Sequence, residues 1–206
     1  MTAFADLMSF QRETEALAQI AGRLSWDQET MMPRGAAEQR GEEMAAIEGV
    51  LHARRTDKRV GDWLDSARAA DPAGQRALDL IGRAYRRNAC IPGKLAAEIA
   101  RVTSVAQGIW AEARAKNDVE HFLPTLETVL KLKREAGEAL VAGGFGADAY
   151  DALLDDYEPG ATAASVLPSP VAISAILPAC STMPPISCTS KWRMRTVRRA
   201  ASRHTA

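Results

Sequence analysis

Leu95, Ile99, Val102, Ala106, Ile109 and Ala113 recur at alternating steps of four and three. That spacing places side chains on one face of an α-helix, whereas a strand needs alternation every second residue. The pattern predicts a helix from near Pro92 to about Lys116, about 36 Å long at ~1.5 Å per residue, enough to span a whole domain. So long a helix with a single apolar stripe needs other helices alongside to cover it.

Similar stripes precede and follow it. Leu7, Phe10, Leu17, Ala21 and Leu24 predict a first helix over 4–24. Trp26 to Pro33 interrupts the period, and Pro33 suits the first turn of a second helix over 34–54, because the amide it lacks would have no intrahelical partner there. That helix is expected to bury Met44, Ile47 and Leu51. A third, over 58–69, carries Val60, Trp63, Leu64 and Ala67, and Asp71-Pro72 closes it, since the residue before proline is pushed out of helical space. Leu78, Ile81 and Tyr85 mark a fourth. After the long fifth helix, Asn117-Asp118 is a break. Pro124 is then expected to open a sixth helix through Leu126, Val129, Leu130 and Leu140, ended by Gly143-Gly144. A last short one over 147–157 holds Tyr150, Leu153, Leu154 and Tyr157. No strand pattern occurs in the first 160 residues, so the expectation is an all-α fold of about six to seven helices in antiparallel hairpins.

Beyond Gly160 the character changes. Five of the ten prolines (168, 170, 178, 184 and 185) and twelve Ser or Thr fall in residues 161–206. The last acidic residue is Glu158, while Lys191, Arg193, Arg195, Arg198, Arg199 and Arg203 follow it. The 20 basic and 26 acidic residues before position 160 leave the body near −6 and the tail near +6, although the whole is neutral. Two parts are therefore expected: a helical unit over 1–160 and an irregular, disordered Pro/Ser/Arg-rich tail over 161–206. The basic run is read as solvated charge, with no nucleic-acid partner expected. No segment reaches the ~18 uninterrupted apolar residues of a membrane helix, and the start lacks a basic stretch before an apolar one. A cytoplasmic location with no membrane association follows by default. Cys90, Cys180 and Cys188 form no Cys-x-x-Cys pair and are read as inert thiols.

Three runs are too particular to be explained by periodicity. They are Trp26-Asp27-Gln28-Glu29-Thr30-Met31-Met32-Pro33, Trp110-Ala111-Glu112-Ala113-Arg114-Ala115-Lys116-Asn117-Asp118, and Tyr150-Asp151-Ala152-Leu153-Leu154-Asp155-Asp156-Tyr157-Glu158-Pro159-Gly160. Together they resemble the amino-terminal part of the carboxypeptidase Taq family of helical metallocarboxypeptidases. The signature positions Trp26, Asp27, Gln28, Thr30, Met32, Pro33, Tyr157, Glu158, Pro159 and Gly160 are assigned structural roles. The resemblance implies removal of C-terminal residues from peptides with zinc or cobalt, and partnership as a homodimer or with helical relatives. It ends at Gly160, where relatives continue into another helix. The change of composition there suggests a shifted reading frame, and resequencing that found one uninterrupted frame encoding this tail would dismiss the idea.

The resemblance also implies a His-Glu-x-x-His helix well downstream, whose histidines and a later glutamate hold the metal while the helix Glu acts as general base. These 206 residues contain no such pentapeptide, and His52, His121 and His204 are the only histidines. No catalytic, metal or cofactor residue is therefore assigned, and the expectation is a truncated carboxypeptidase-like protein, inactive alone. The alternative is a helical protein-interaction module or pseudoenzyme. Glu48 and His52, four apart, are read as a solvated pair rather than half a metal site. His121 is read as a surface or helix-start residue. Trp26 to Thr30 could line a substrate cleft or lock a helix-to-helix joint; the joint is the preferred reading, burying the Trp26 ring under the first helix, with Asp27 and Thr30 capping amides. Asp155, Asp156 and Glu158 are read as a solvated acidic helix end. Gly143-Gly144-Phe145-Gly146 lacks the Lys-Ser/Thr of a phosphate loop.

Overall fold

The computed structural model describes residues 2–166. The chain divides into two compact units, Met1–Ala163 and Ala164–Ala206. The expected disorder of the tail concerns residues almost all outside the described ones. The first unit is all-α, and among the described residues there is no strand.

Its helices are α1 (Ala3–Thr30), α2 (Ala37–Arg55), α3 (Lys58–Ser66), α4 (Pro72–Cys90), α5 (Gly93–Lys116), α6 (Val119–Ala142) and α7 (Ala149–Leu154), with a 3-10 turn over Arg34–Ala36. One further turn of helix, α8, spans Ala163–Val166. Aspartates start many of them. Asp57, Asp71, Asp118 and Asp148 each accept a hydrogen bond from an amide two or three residues on, satisfying groups that have no partner in the first turn.

Four boundaries differ from the sequence expectation. The first helix does not stop at 24. It runs to Thr30, because the hydroxyls of Ser25 and Thr30 bond back to the carbonyls of Ala21 and Trp26 and leave the backbone ladder intact. The joint is confined to Met31–Pro33, where the amides of Met31 and Met32 both donate to the Asp27 carbonyl at 2.8 and 2.9 Å. The third helix ends at Ser66, and Asp71-Pro72 opens α4 instead of closing α3, with Asp71 Oδ1 2.7 Å from the Gly74 amide. Pro124 lies inside α6, which Asp118 has already started. The proline deprives the Glu120 carbonyl of a helical partner at a residue that is exposed to solvent, where the loss costs little.

The long α5 is as expected, and it closes with Asn117 in the left-handed region at φ 54°. The Asp118 amide reaches the Ala113 carbonyl at 2.8 Å, which turns the chain into α6. Gly144, at φ 86°, does the same for α6, with the Phe145 amide on the Leu140 carbonyl at 2.9 Å. Gly146 is constrained twice over: its φ is 73°, and an added Cβ would lie 2.5 Å from the Ala152 amide nitrogen.

The hairpins are antiparallel. Arg54 near the end of α2 reaches Phe10 and Glu13 near the start of α1, while Arg40 near the start of α2 reaches Leu24 and Asp27. Similarly, Gly41 faces Val105 and His52 faces Ile91, so α5 runs back along α2. Leu7, Phe10, Val60, Ala67 and Leu78 form a buried cluster that joins α1, α3 and α4, with Phe4, Trp63, Leu64, Ile81 and Tyr85 packed around it. Burial of each large member contributes about 1.5–3 kcal/mol. Leu51 is buried as expected, whereas Met44 and Ile47 are half-buried.

Candidate functional site

The first signature run ends α1 against α2 and α5. Asp27 sits in the last turn of α1, where the unpaired carbonyls make a carboxylate unfavourable. Arg40 of α2 offsets this. Its buried guanidinium donates to Asp27 Oδ2 at 2.6 Å, to Glu43 Oε2 at 2.8 Å and to the Leu24 carbonyl. The hydrogen bond to Asp27 is the main reason the Arg40 pKa is raised, with burial opposing it and Glu43 adding to it. Gln28 points the other way around the helix. Its Nε2 donates to the Ser104 carbonyl and its Oε1 accepts from the Ser104 hydroxyl, both at 2.7 Å, a reciprocal pair that fixes α1 on α5.

These contacts correct the expectation for the joint. Asp27 and Thr30 do not cap amides, because they stand at a helix C-terminus, where carbonyls and not amides lack partners. Trp26 is not buried beneath α1 but 63% exposed, two residues from Gln28 and so about 200° around the helix from the packed face. Beside the joint is a cleft of about 550 Å³, lined by Glu29, Thr30, Met32, Arg34, Glu38 and the second half of α5 from Val105 to Glu112. At its margin the Glu112 carboxyl is held below the ordinary carboxylate range. Lys116, 2.5 Å away, is the chief cause, and His121 and Arg34 add attraction.

The run from Tyr150 to Gly160, in α7 and the turn after it, lies elsewhere, against α4. Arg87, buried in α4, donates to Asp155 Oδ2 at 2.9 Å, Asp156 Oδ1 at 2.7 Å and the Ala152 carbonyl at 2.9 Å, and its guanidinium stacks 5.0 Å from the Phe145 ring centroid. Arg83 reaches the same Asp155 carboxylate and its backbone carbonyl. Asp155 is therefore not part of a solvated acidic end but the anionic centre of a clamp that α4 closes on the α7 segment, whereas Asp156, although paired with Arg87, and Glu158 are exposed as expected. Sequence reasoning missed this because the arginines lie about seventy positions away from their partners, and nothing local marks them. Glu158, Pro159 and Tyr157 are exposed, and Gly160, at φ 85°, turns its amide onto Asp155 Oδ1 at 2.9 Å. The ten signature residues are thus divided between two places.

The Asp155 carboxyl is held below the ordinary range first by the Gly160 amide, against an opposing push from burial, and then by Arg83 and Arg87. A depressed folded-state pKa gives stability that is complete above the unfolded carboxylate pKa and is lost as the pH falls through the folded value. Asp155→Asn is accordingly expected to flatten the acid limb of stability. Urea midpoints measured from about pH 5 to about pH 2 would check this, and an unchanged slope would contradict it.

The histidines among the described residues are otherwise engaged. His52 Nε2 sits 2.7 Å from the Ile91 carbonyl, so that nitrogen carries a proton, and Glu48 pairs with Arg55 at 3.2 Å. The His121 amide donates to Asp118 at the start of α6, the helix-start position expected of it. Among the described residues no group of three or more His, Cys, Asp or Glu is placed to hold a metal ion. Nor is any helix among them long and apolar enough to cross a membrane.

Comparison with known proteins agrees with this picture of a helical unit. The family model for carboxypeptidase Taq (M32) metallopeptidases matches residues 6–169, a little beyond the point at which the sequence resemblance was expected to end. Thermostable carboxypeptidase 1 of Thermus thermophilus is 40% identical over 179 residues, covering 81% of this chain and 35% of that protein. Carboxypeptidase 1 of Bacillus subtilis is 29% identical over 143 residues, 68% of this chain and 28% of that one. Among solved structures, the M32 carboxypeptidase of Deinococcus radiodurans R1 superposes with a TM-score of 0.62 at 28% identity, over 86% of this chain and 35% of that one. BsuCP superposes with a TM-score of 0.73 at 23% identity, over 86% and 35%, a likeness of fold. The chain spans about a third of the length of the curated relatives it matches. Over that third, it belongs to the carboxypeptidase Taq (M32) metallopeptidase family.

Proposed function

We propose that this chain provides the N-terminal helical scaffold of a metal-dependent carboxypeptidase, and that these 206 residues by themselves do not hydrolyse peptides. The supporting observation is a pairing: a family match over nearly the whole helical unit, and, among the described residues, no group of three or more His, Cys, Asp or Glu placed to hold an ion. Hydrolysis by metal-activated water needs about three protein ligands and an open coordination position. The residues present do not fit such a group, since His52 is tied to a carbonyl, Glu48 to Arg55, and no His-Glu-x-x-His occurs in the sequence. In the complete enzyme the ion, zinc or cobalt, would activate water for removal of the C-terminal amino acid of a peptide. What this chain contributes is a rigid wall: Arg40 and the Gln28–Ser104 pair hold the α1–α2 joint and the cleft beside it in one geometry. We place the protein in the cytoplasm.

Incubating the purified chain with zinc or cobalt and a blocked dipeptide is expected to release no terminal amino acid. Metal-dependent release that survives removal of contaminating peptidases would contradict the reading.

A further inference from the structure

The cleft beside the α1–α2 joint, about 550 Å³, falls within the ~300–1,000 Å³ typical of sites that hold small ligands. Its lining is graded. Met32, Val105 and Ile109 are half-buried, whereas Glu29, Arg34 and Glu38 are exposed, so apolar side chains form its depth and charged ones its mouth. The charges do not cancel. Glu112 is paired with Lys116 at 2.5 Å, and Arg101, which Glu38 attracts, is itself held by Glu98 at 2.7 Å. Glu29, Glu38 and Arg34 form no ion pair among the described residues, which leaves two carboxylates against one guanidinium. Gly108 lines the same cleft from the middle of α5. A Cβ added there would meet no atom within 4 Å, so the wall stands open at that point.

A ligand that matches this lining has an apolar stem and a positive charge at its tip. Lysine and arginine side chains have that form, because their stems lie along apolar surface while the charged head stays at the water. We propose that the cleft binds the side chain of a lysine or arginine of a peptide, with its stem over Met32, Val105 and Ile109 and its head drawn to Glu29 and Glu38. That the carrier is a peptide rests on the proposed scaffold function; the match of stem and charge does not.

The experiment is an NMR titration of the isotope-labelled 206-residue chain with acetyl-Ala-Lys-Ala-amide, whose only charge is the lysine ammonium. Saturable amide shifts centred on residues 29–38 and 105–112 are expected. The norleucine peptide, which keeps an apolar stem without the charge, should bind about fivefold more weakly, the upper range for an exposed ion pair. The diaminobutyrate peptide keeps the charge on a stem two methylenes shorter and should also lose about fivefold. Gly108→Leu fills the opening without touching a neighbour and replaces a poor helix former by a good one. It should abolish the shifts while the melting temperature holds or rises. Glu29→Gln/Glu38→Gln should weaken binding about fivefold. Glu138→Gln, exposed in the second half of α6, makes the same kind of charge change outside the cleft and should leave binding unchanged. Undiminished binding by Gly108→Leu, equal binding of the three peptides, or shifts that never saturate would each overturn the proposal. Equal binding of n-pentylamine, which has the stem and charge without a backbone, would overturn the peptide as carrier. No hydrolysis enters the titration, so the two readings fail separately. A chain that binds the lysine peptide and also cleaves a blocked dipeptide with zinc keeps this site and rejects the scaffold function, whereas one that does neither rejects the site alone.

Discussion

Arg87→Ala is expected to lower the unfolding free energy by about 3 kcal/mol, because it leaves the carbonyl of the fully buried Ala152 without its donor, removes one of the two guanidinium partners of Asp155 and opens a space in the packing. The Arg87 side chain is 6% exposed and bridges α4 to two carboxylates and the Ala152 carbonyl of the α7 segment. Without it, Asp155 keeps Arg83 and the Gly160 amide, but Asp156 and the Ala152 carbonyl lose their guanidinium donors. The stacking on Phe145 is lost as well. Arg87→Met separates the two contributions, since it retains an apolar stem against the ring while removing the charge, and it should recover only a minor part of the loss. Chemical denaturation of both variants would decide. A double-mutant cycle with Asp155→Asn should show strongly non-additive effects, because the two side chains share one network. Additive effects would mean that the clamp is not the unit described.

Leu7→Ala should cost about 3–4 kcal/mol, the sum of lost transfer energy and the cavity left behind. Leu7 is wholly buried and stands where α1 meets Val60 of α3 and Leu78 of α4, so its truncation opens a cavity at the junction of three helices. Calorimetry should register a fall in Tm of about 10 °C for a unit of this size. A shift of only a degree or two would show that the three helices do not share one cooperative core.

The two predictions differ in how far the sequence foreshadows them. Leu7 and Phe10 were visible as core because helical periodicity is local and repeats within a few residues. The same is true of the α5 stripe and of the helical class as a whole. Arg87 was invisible because its role depends on a packing partner far along the chain, and an arginine on a helix reads as solvated until the opposing carboxylate is in view. The Trp26 to Pro33 run was legible as a joint but not in its parts. A tryptophan suggests burial, yet α1 continues through it and turns its ring outward, while the neighbouring Gln28 is spent on Ser104. Pro124 misled for a related reason: proline marks a helix start only when no better cap precedes it, and Asp118 does. The family was legible because its runs constrain several side chains at once.

The account depends on the absence of a hydrolytic ion's donor set from these residues. Its most direct test is to load the purified, folded chain with zinc, dialyse it against metal-free buffer and measure retained metal by atomic emission alongside the circular dichroism spectrum. The expected result is a fully helical protein that has lost its zinc on dialysis; one tightly retained zinc ion per folded chain would contradict the account.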